Sequence, residues 1–181
     1  MSWKNTPTRY GTVSIALHWF MLLLISAVCL LMELKSIAPQ GSAQRAAMAQ
    51  WHYTLGLSVS ALVWLRLAAR LAGSAPQVRP AMTRGQARLA GAVHLALYGL
   101  MVALPLLGWL TLSAKAQEIP FFGMLLPPLV VESQFGAKWF KEFHEIGATL
   151  VNLLVGLHAA AALYHHIRVR DNTLRLMLPR P

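Results

Sequence analysis

The chain has 181 residues, 56% of them hydrophobic and only 12% charged, and it carries a formal net charge of +10. A soluble domain has about 25% charged residues, so the composition excludes an ordinary soluble protein, and the length suits a single domain. The positive charge does not indicate a nucleic-acid binder, because Lys and Arg cluster between long apolar runs and form no single solvated face.

Four apolar runs reach the roughly 20 residues needed to cross a bilayer. The first covers about Thr12 to Glu33 and contains His18 and Cys29, the chain's one cysteine. A single cysteine permits no intrachain disulfide and no thiolate metal site. This run is too long for a signal-peptide core and lacks an A-x-A cleavage site, so it reads as a helix of the mature protein. The second span covers about Met48 to Leu71, with His52 near its start. The third covers about Leu89 to Ser113, with His94 inside it and Pro105 set to bend it. The segment IPFFGMLLPPLVV, Ile119 to Val131, is apolar but short and broken by prolines, and reads as an interfacial loop. The fourth span covers about Phe143 to Ile167 and carries His144, His158, His165 and His166. The expected fold is an all-α integral membrane protein, a bundle of four transmembrane helices in one domain.

Lys and Arg set the orientation. The N-terminal tail, the second connection and the C-terminal tail together hold 11 of them, against five on the opposite side. The positive-inside rule therefore puts both termini in the cytoplasm. Trp51, Tyr53, Trp139 and Phe140 then fall at the outer interface, where amphipathic rings are favoured. The inner basic cluster is explained by topology and contact with anionic lipid.

Ionisable groups inside membrane helices are costly and usually functional. His144 and His158 stand 14 residues apart, which puts them on one helix face and separates them by about 21 Å along the axis. His52 matches His144 in depth near the outer end, and His18 matches His158 toward the inner end. Two bis-histidine pairs suit two b-type haems, each iron taking one imidazole from either side. His165 points almost the same way as His158, but it lies at headgroup depth, too shallow to meet His18. Gly56, Gly147 and Gly156 lie close to these histidines; they suit the approach of a flat ring and equally suit close helix packing. His94, His165 and His166 have a plain reading as interhelical or interfacial hydrogen-bonding groups. Their functional reading is hydrogen bonding to haem propionates or to a quinone head group. Zinc needs three or four ligands around one point, which separated pairs do not provide.

Several stretches carry a family resemblance over nearly the whole chain. They are His18-Trp19, His52 with Gly56, His94 with Tyr98, GLHAAAALYHH (Gly156 to His166) and DNTL (Asp171 to Leu174). In these the chain resembles the bacterial di-haem cytochrome b561 family, including its small single-chain members of enteric bacteria that oxidise superoxide. The resemblance implies haem ligand pairs His52–His144 and His18–His158, agreeing with the depth argument. It also implies a cell inner-membrane enzyme that oxidises superoxide at the outer face and passes electrons to ubiquinone.

Superoxide is an anion, and Lys138 and Lys141 precede His144 on the outer side; they suit its approach, or simply anchor a helix end. The five outer Lys and Arg are balanced by five outer acids, so no net outer charge steers. An inner quinone site would draw donors from His94, His165, His166 and Arg88. Two other functions remain open at this stage. One is a quinone-linked electron-transfer subunit that serves a dehydrogenase or hydrogenase partner protein. The other is a non-redox histidine-rich membrane protein such as a metal transporter.

Overall fold

A computed structural model describes residues 3–179. Four long helices dominate: α1 (Thr12–Ile37), α2 (Ala43–Leu71), α3 (Arg84–Ala114) and α4 (Gln134–Tyr164). All four are long and apolar enough to cross a membrane, and the chain is a multi-pass membrane protein. A five-residue π-helical turn (His165–Val169) continues α4, and a short α5 (Thr173–Leu176) follows.

Three of these helices start earlier than hydropathy indicates, and the reason is local. Ser42 accepts the Arg45 amide at 3.2 Å, so α2 begins five residues before the expected Met48. Thr83 and Gln86 form a reciprocal capping box. The Thr83 amide donates to Gln86 Oε1 at 2.9 Å, and the Gln86 amide donates to Thr83 Oγ1 at 3.3 Å. This starts α3 at Arg84, not Leu89. Ser133 accepts the Gly136 amide at 3.1 Å and starts α4 at Gln134, nine residues before Phe143. Caps satisfy the orphan amides of a first turn, and polar first turns carry no hydropathy signal.

The chain divides into two compact units, and every long helix contributes to both. Unit 1 comprises residues 1–20, 62–99 and 150–181. It contains both tails and the α2–α3 connection, which hydrogen bonds tie together. Asn5, 7% exposed, donates to the Ala69 carbonyl at 3.1 Å and accepts the Gly11 amide at 2.9 Å. A Cβ at Gly11 would overlap the Trp3 carbonyl oxygen, so this crossing requires glycine. Asn172 accepts the Arg79 amide at 2.7 Å, and its own amide donates to the Arg79 carbonyl at 3.1 Å. Trp19 Nε1 donates to the Met177 carbonyl at 2.7 Å. Arg180, counted with the inner basic residues, lies outside the described residues.

Unit 2 comprises residues 21–61 and 100–149. It holds the segment expected to be an interfacial loop. That segment forms a small antiparallel hairpin, β1 (Pro120–Phe121) with β2 (Met124–Leu125). Phe122 and Gly123 turn the chain at φ 47° and φ 82°, the paired left-handed conformation of a two-residue hairpin. The Pro120 carbonyl accepts from Thr54 Oγ1 at 3.2 Å, and the Pro127 carbonyl accepts from Trp109 Nε1 at 3.0 Å. Buried Ile119 anchors the base, while Phe122, Met124 and Leu125 are exposed.

Candidate functional site

The histidines form two groups, one in each unit. In unit 2, the His52 and His144 rings lie side by side with centroids 6.1 Å apart and planes at 72°. His52 lies nine residues past the start of α2, and His144 ten past the start of α4, so both helices reach the same level before presenting a ring. His52 Nδ1 hydrogen-bonds to the Val28 carbonyl at 3.0 Å, and His144 Nδ1 to the Leu104 carbonyl at 2.9 Å. A carbonyl only accepts, so each Nδ1 carries the proton and each Nε2 presents a lone pair. Metal-binding histidines are usually held in this way. Gly108 faces the His144 ring, where a Cβ would come to 3.4 Å from Cε1.

Two imidazoles on opposite sides of one metal, each bound at about 2.0 Å, have centroids about 6 Å apart. The unit 2 pair meets that spacing in the right tautomer. Haem therefore fits these residues as they stand. A Cβ at Gly56, one turn along α2 from His52, would meet nothing within 4 Å, which leaves the helix surface there open to a flat ring.

In unit 1, His158 lies between two other rings. Its centroid is 6.2 Å from that of His18 and 5.3 Å from that of His94. The His18–His158 spacing also suits one iron, and Gly156 likewise has open space at its Cβ position. The His18 tautomer does not match. Arg66 Nη2 lies 2.7 Å from His18 Nδ1. Arginine only donates, so Nδ1 accepts and the ring proton sits on Nε2. Ligation through Nε2 requires Arg66 to leave Nδ1. In its present position the Arg66 guanidinium also lies 5.6 Å from the Tyr98 ring centroid, with that of Arg70 at 5.7 Å from the same ring. Arg66 entered the sequence reading only as a topology charge; its contact with His18 has no sequence signal.

The remaining candidates separate. His165 lies away from the His18–His158 pair in its bonding, with Nδ1 2.6 Å from Asp171 Oδ2. His166 has a buried Nδ1 with no hydrogen-bond partner among the described residues. Arg88 is exposed on the first turns of α3. Lys138 and Lys141 line a depression of about 370 Å³ in unit 2, together with Lys115, Glu132 and Gln134. Lys141 Nζ pairs with Glu145 at 2.8 Å, both side chains more than half exposed. Lys35 lies within electrostatic range of Arg45, Lys115 and Lys141. Among the described residues no three of His, Cys, Asp and Glu gather around one point as a metal-ion cage.

Asp171 is 3% exposed. Burial alone would raise its pKa. Hydrogen bonds from His165 and from the Thr173 amide, the latter at 2.8 Å, outweigh burial and hold the carboxyl below its ordinary range. The Thr173 hydroxyl lies near the same carboxylate, but its Oγ1 makes no hydrogen bond of acceptable geometry.

A profile of prokaryotic cytochrome b561 matches residues 9–180. The chain is 34% identical over 172 residues to cytochrome b561 homolog 1 of Escherichia coli K12, covering 95% of this chain and 98% of that one. It is 30% identical over 172 residues to the probable superoxide oxidase CybB of Yersinia pestis, covering 95% and 97%. Cytochrome b561 homolog 2 of Escherichia coli K12 is 30% identical over 182 residues, covering 98% and 95%.

Proposed function

Because the chain belongs to the prokaryotic cytochrome b561 family of haem-b membrane electron-transfer proteins, we propose that it oxidises superoxide at the outer face of the bacterial inner membrane and passes the electrons to ubiquinone. The observation that carries the reading is the presence of two histidine couples, each with ring centroids close to 6 Å apart. His52 and His144 would hold one haem b, and His18 and His158 a second. Bound haem supplies reversible one-electron chemistry, which the side chains of this protein lack. The likeness to a relative named as a probable superoxide oxidase supports the substrate.

The protein's own groups do the rest. The Val28 and Leu104 carbonyls hold the outer imidazoles in register and fix their tautomer. Lys35, Lys115, Lys138 and Lys141 give the outer unit a local concentration of positive charge, although its overall balance is neutral. That local field favours an approaching anion. Lys138 and Lys141 act here by attraction, and Glu145 offsets part of the Lys141 charge. Near the inner couple, His94, His165, His166 and Arg88 supply donors to a quinone head group. Both tails and the α2–α3 connection share unit 1, which holds ten Lys and Arg among the described residues; this supports cytoplasmic termini.

The test is a haem count on the purified protein, followed by superoxide-driven ubiquinol formation. Two haems per chain and quinol formation support the reading. Two haems with no superoxide-dependent reduction would leave a membrane electron carrier fed by a protein partner.

A further inference from the structure

No charged side chain stands between Glu118 and Glu132, and the hairpin of β1 and β2 lies within that stretch. Its depth is set by the side chains that hold it. The Pro120 carbonyl accepts from Thr54 Oγ1 at 3.2 Å. Threonine has a short side chain, so Pro120 lies at the level of Thr54, which stands two residues past His52 along α2, or about 3 Å. On α3 the Pro127 carbonyl accepts from Trp109 Nε1 at 3.0 Å, and Trp109 follows Gly108, which faces the His144 ring. The base of the hairpin therefore lies at the depth of the His52–His144 couple, about three turns past the start of α2. It runs along the flank of these helices and not over their ends.

The backbone of the stretch is provided for without water. Pro120, Pro127 and Pro128 bring no amide that would need an acceptor. β1 and β2 pair with each other, the Leu126 amide donates to the Ile119 carbonyl at 2.9 Å, and the Leu129 amide donates to Ser113 Oγ at 3.0 Å. Hydrocarbon demands such internal partners, whereas a loop in water has solvent to serve it. The side chains are turned outward. Phe122, Met124 and Leu125 are exposed, and so is Trp51 on α2. Between the tip and α2 lies a crevice of about 360 Å³, lined by Gln50, Trp51, Thr54, Pro120, Phe122 and Gly123. Two aromatic rings wall it, Gln50 offers an amide, and no lining residue is charged.

We propose that the hairpin is a wedge in the lipid bilayer. Phe122, Met124 and Leu125 lie among the acyl chains of the leaflet nearest the His52–His144 couple, and the crevice takes the glycerol-ester region of one phospholipid. Exposed apolar side chains at this depth are stable against hydrocarbon and costly in water. Trp51 and Phe122 stand where acyl chain meets ester, a boundary that favours aromatic rings. Gln50 supplies a donor to an ester carbonyl, and the uncharged lining makes the site indifferent to the charge of the head group. The wedge is tied to α2 through Thr54, so the lipid is one hydrogen bond away from the helix that carries His52.

The experiment uses full-length haem-loaded protein in phosphatidylcholine nanodiscs that include a phospholipid with a carbene precursor at the top of its acyl chain. Photolysis should attach lipid to residues 122–125 as well as to Leu30, which is exposed on α1. Replacing phosphatidylcholine with phosphatidylglycerol should leave the yield at the hairpin unchanged. A second probe is a polarity-sensitive fluorophore at Met124→Cys in a Cys29→Ser background. It should lose most of its emission to a lipid-borne spin label and keep it in aqueous iodide. The same fluorophore at Gln134→Cys, on the exposed first turn of α4, should behave in the opposite way. Adducts on Leu30 without adducts on residues 122–125 would overturn the wedge, as would iodide quenching at position 124, and the patch would then belong to a water-borne partner. If the Met124→Cys protein does not assemble, the adduct map of the parent decides alone. A hairpin yield that rises with phosphatidylglycerol would overturn the uncharged lipid site.

Discussion

His52 and His144 show how backbone carbonyls orient a ring. Each has its Nδ1 spent on a backbone carbonyl, so substitution removes both a ligand and a placed lone pair. His52→Ala or His144→Ala should lose one haem, read as a halved haem-to-protein ratio and a changed reduced-minus-oxidised spectrum. His165→Ala should keep both haems, because its ring is bonded to Asp171. Arg66 is the residue that composition hid. Its charge belongs to the topology count, yet its guanidinium rests on His18. Arg66→Gln removes a positive charge beside that ring while offering an amide oxygen to Nδ1–H. The inner haem should be retained and its midpoint potential should fall, as a redox titration would show. The candidate pairs were legible in sequence because histidine in an apolar run is rare and its depth can be counted. The Arg66 contact was not, because side-chain reach across helices leaves no periodic trace.

Elements were legible where they are apolar and obscure where they are capped. The cores of all four spans follow from hydropathy, whereas the extra turns at the starts of α2, α3 and α4 depend on Ser42, Thr83 and Ser133. Thr83→Ala removes half of a reciprocal cap and should cost about 1 kcal/mol, measurable as a lower unfolding midpoint with haem content unchanged. Depth matching survived the misplaced helix starts because α2 and α4 are both extended at the same end of their runs. The π-helical turn was invisible for a different reason. Its sequence, HHIRV, has no feature that separates a wide turn from an α-helical one, and only the return of Asp171 to His165 reveals it. Lys141→Gln breaks an exposed pair with Glu145. Stability should change by less than about 0.5 kcal/mol. The superoxide-driven rate should fall, and the deficit should shrink as salt rises.

At the scale of the molecule, the charges are sorted by unit. Among the described residues, five acids balance five bases in unit 2, and Asp171 alone accompanies ten bases in unit 1. The pH response follows from that one group. Its folded-state pKa lies below the ordinary value of 3.8, so the folded protein binds fewer protons there than the unfolded chain. The stabilisation is fully present above that value and is lost as pH falls through the folded-state value. The C-terminal segment should loosen first in acid, read as proteolytic cleavage after Arg170 that Asp171→Asn already permits at neutral pH.

The early start of α4 has a consequence for kinetics. Residues 134–142 are helical, so Lys138 and Lys141 ride on a rigid mast and not on a swinging tether. A charge on a tether is averaged over the volume it sweeps, and its exact residue number matters little. A charge on a mast has a compass bearing. Moving a lysine from position 138 to 139 turns it by about 100° about the helix axis while leaving the protein's total charge the same. The encounter rate with an anion should therefore depend on which rung of the mast bears the charge.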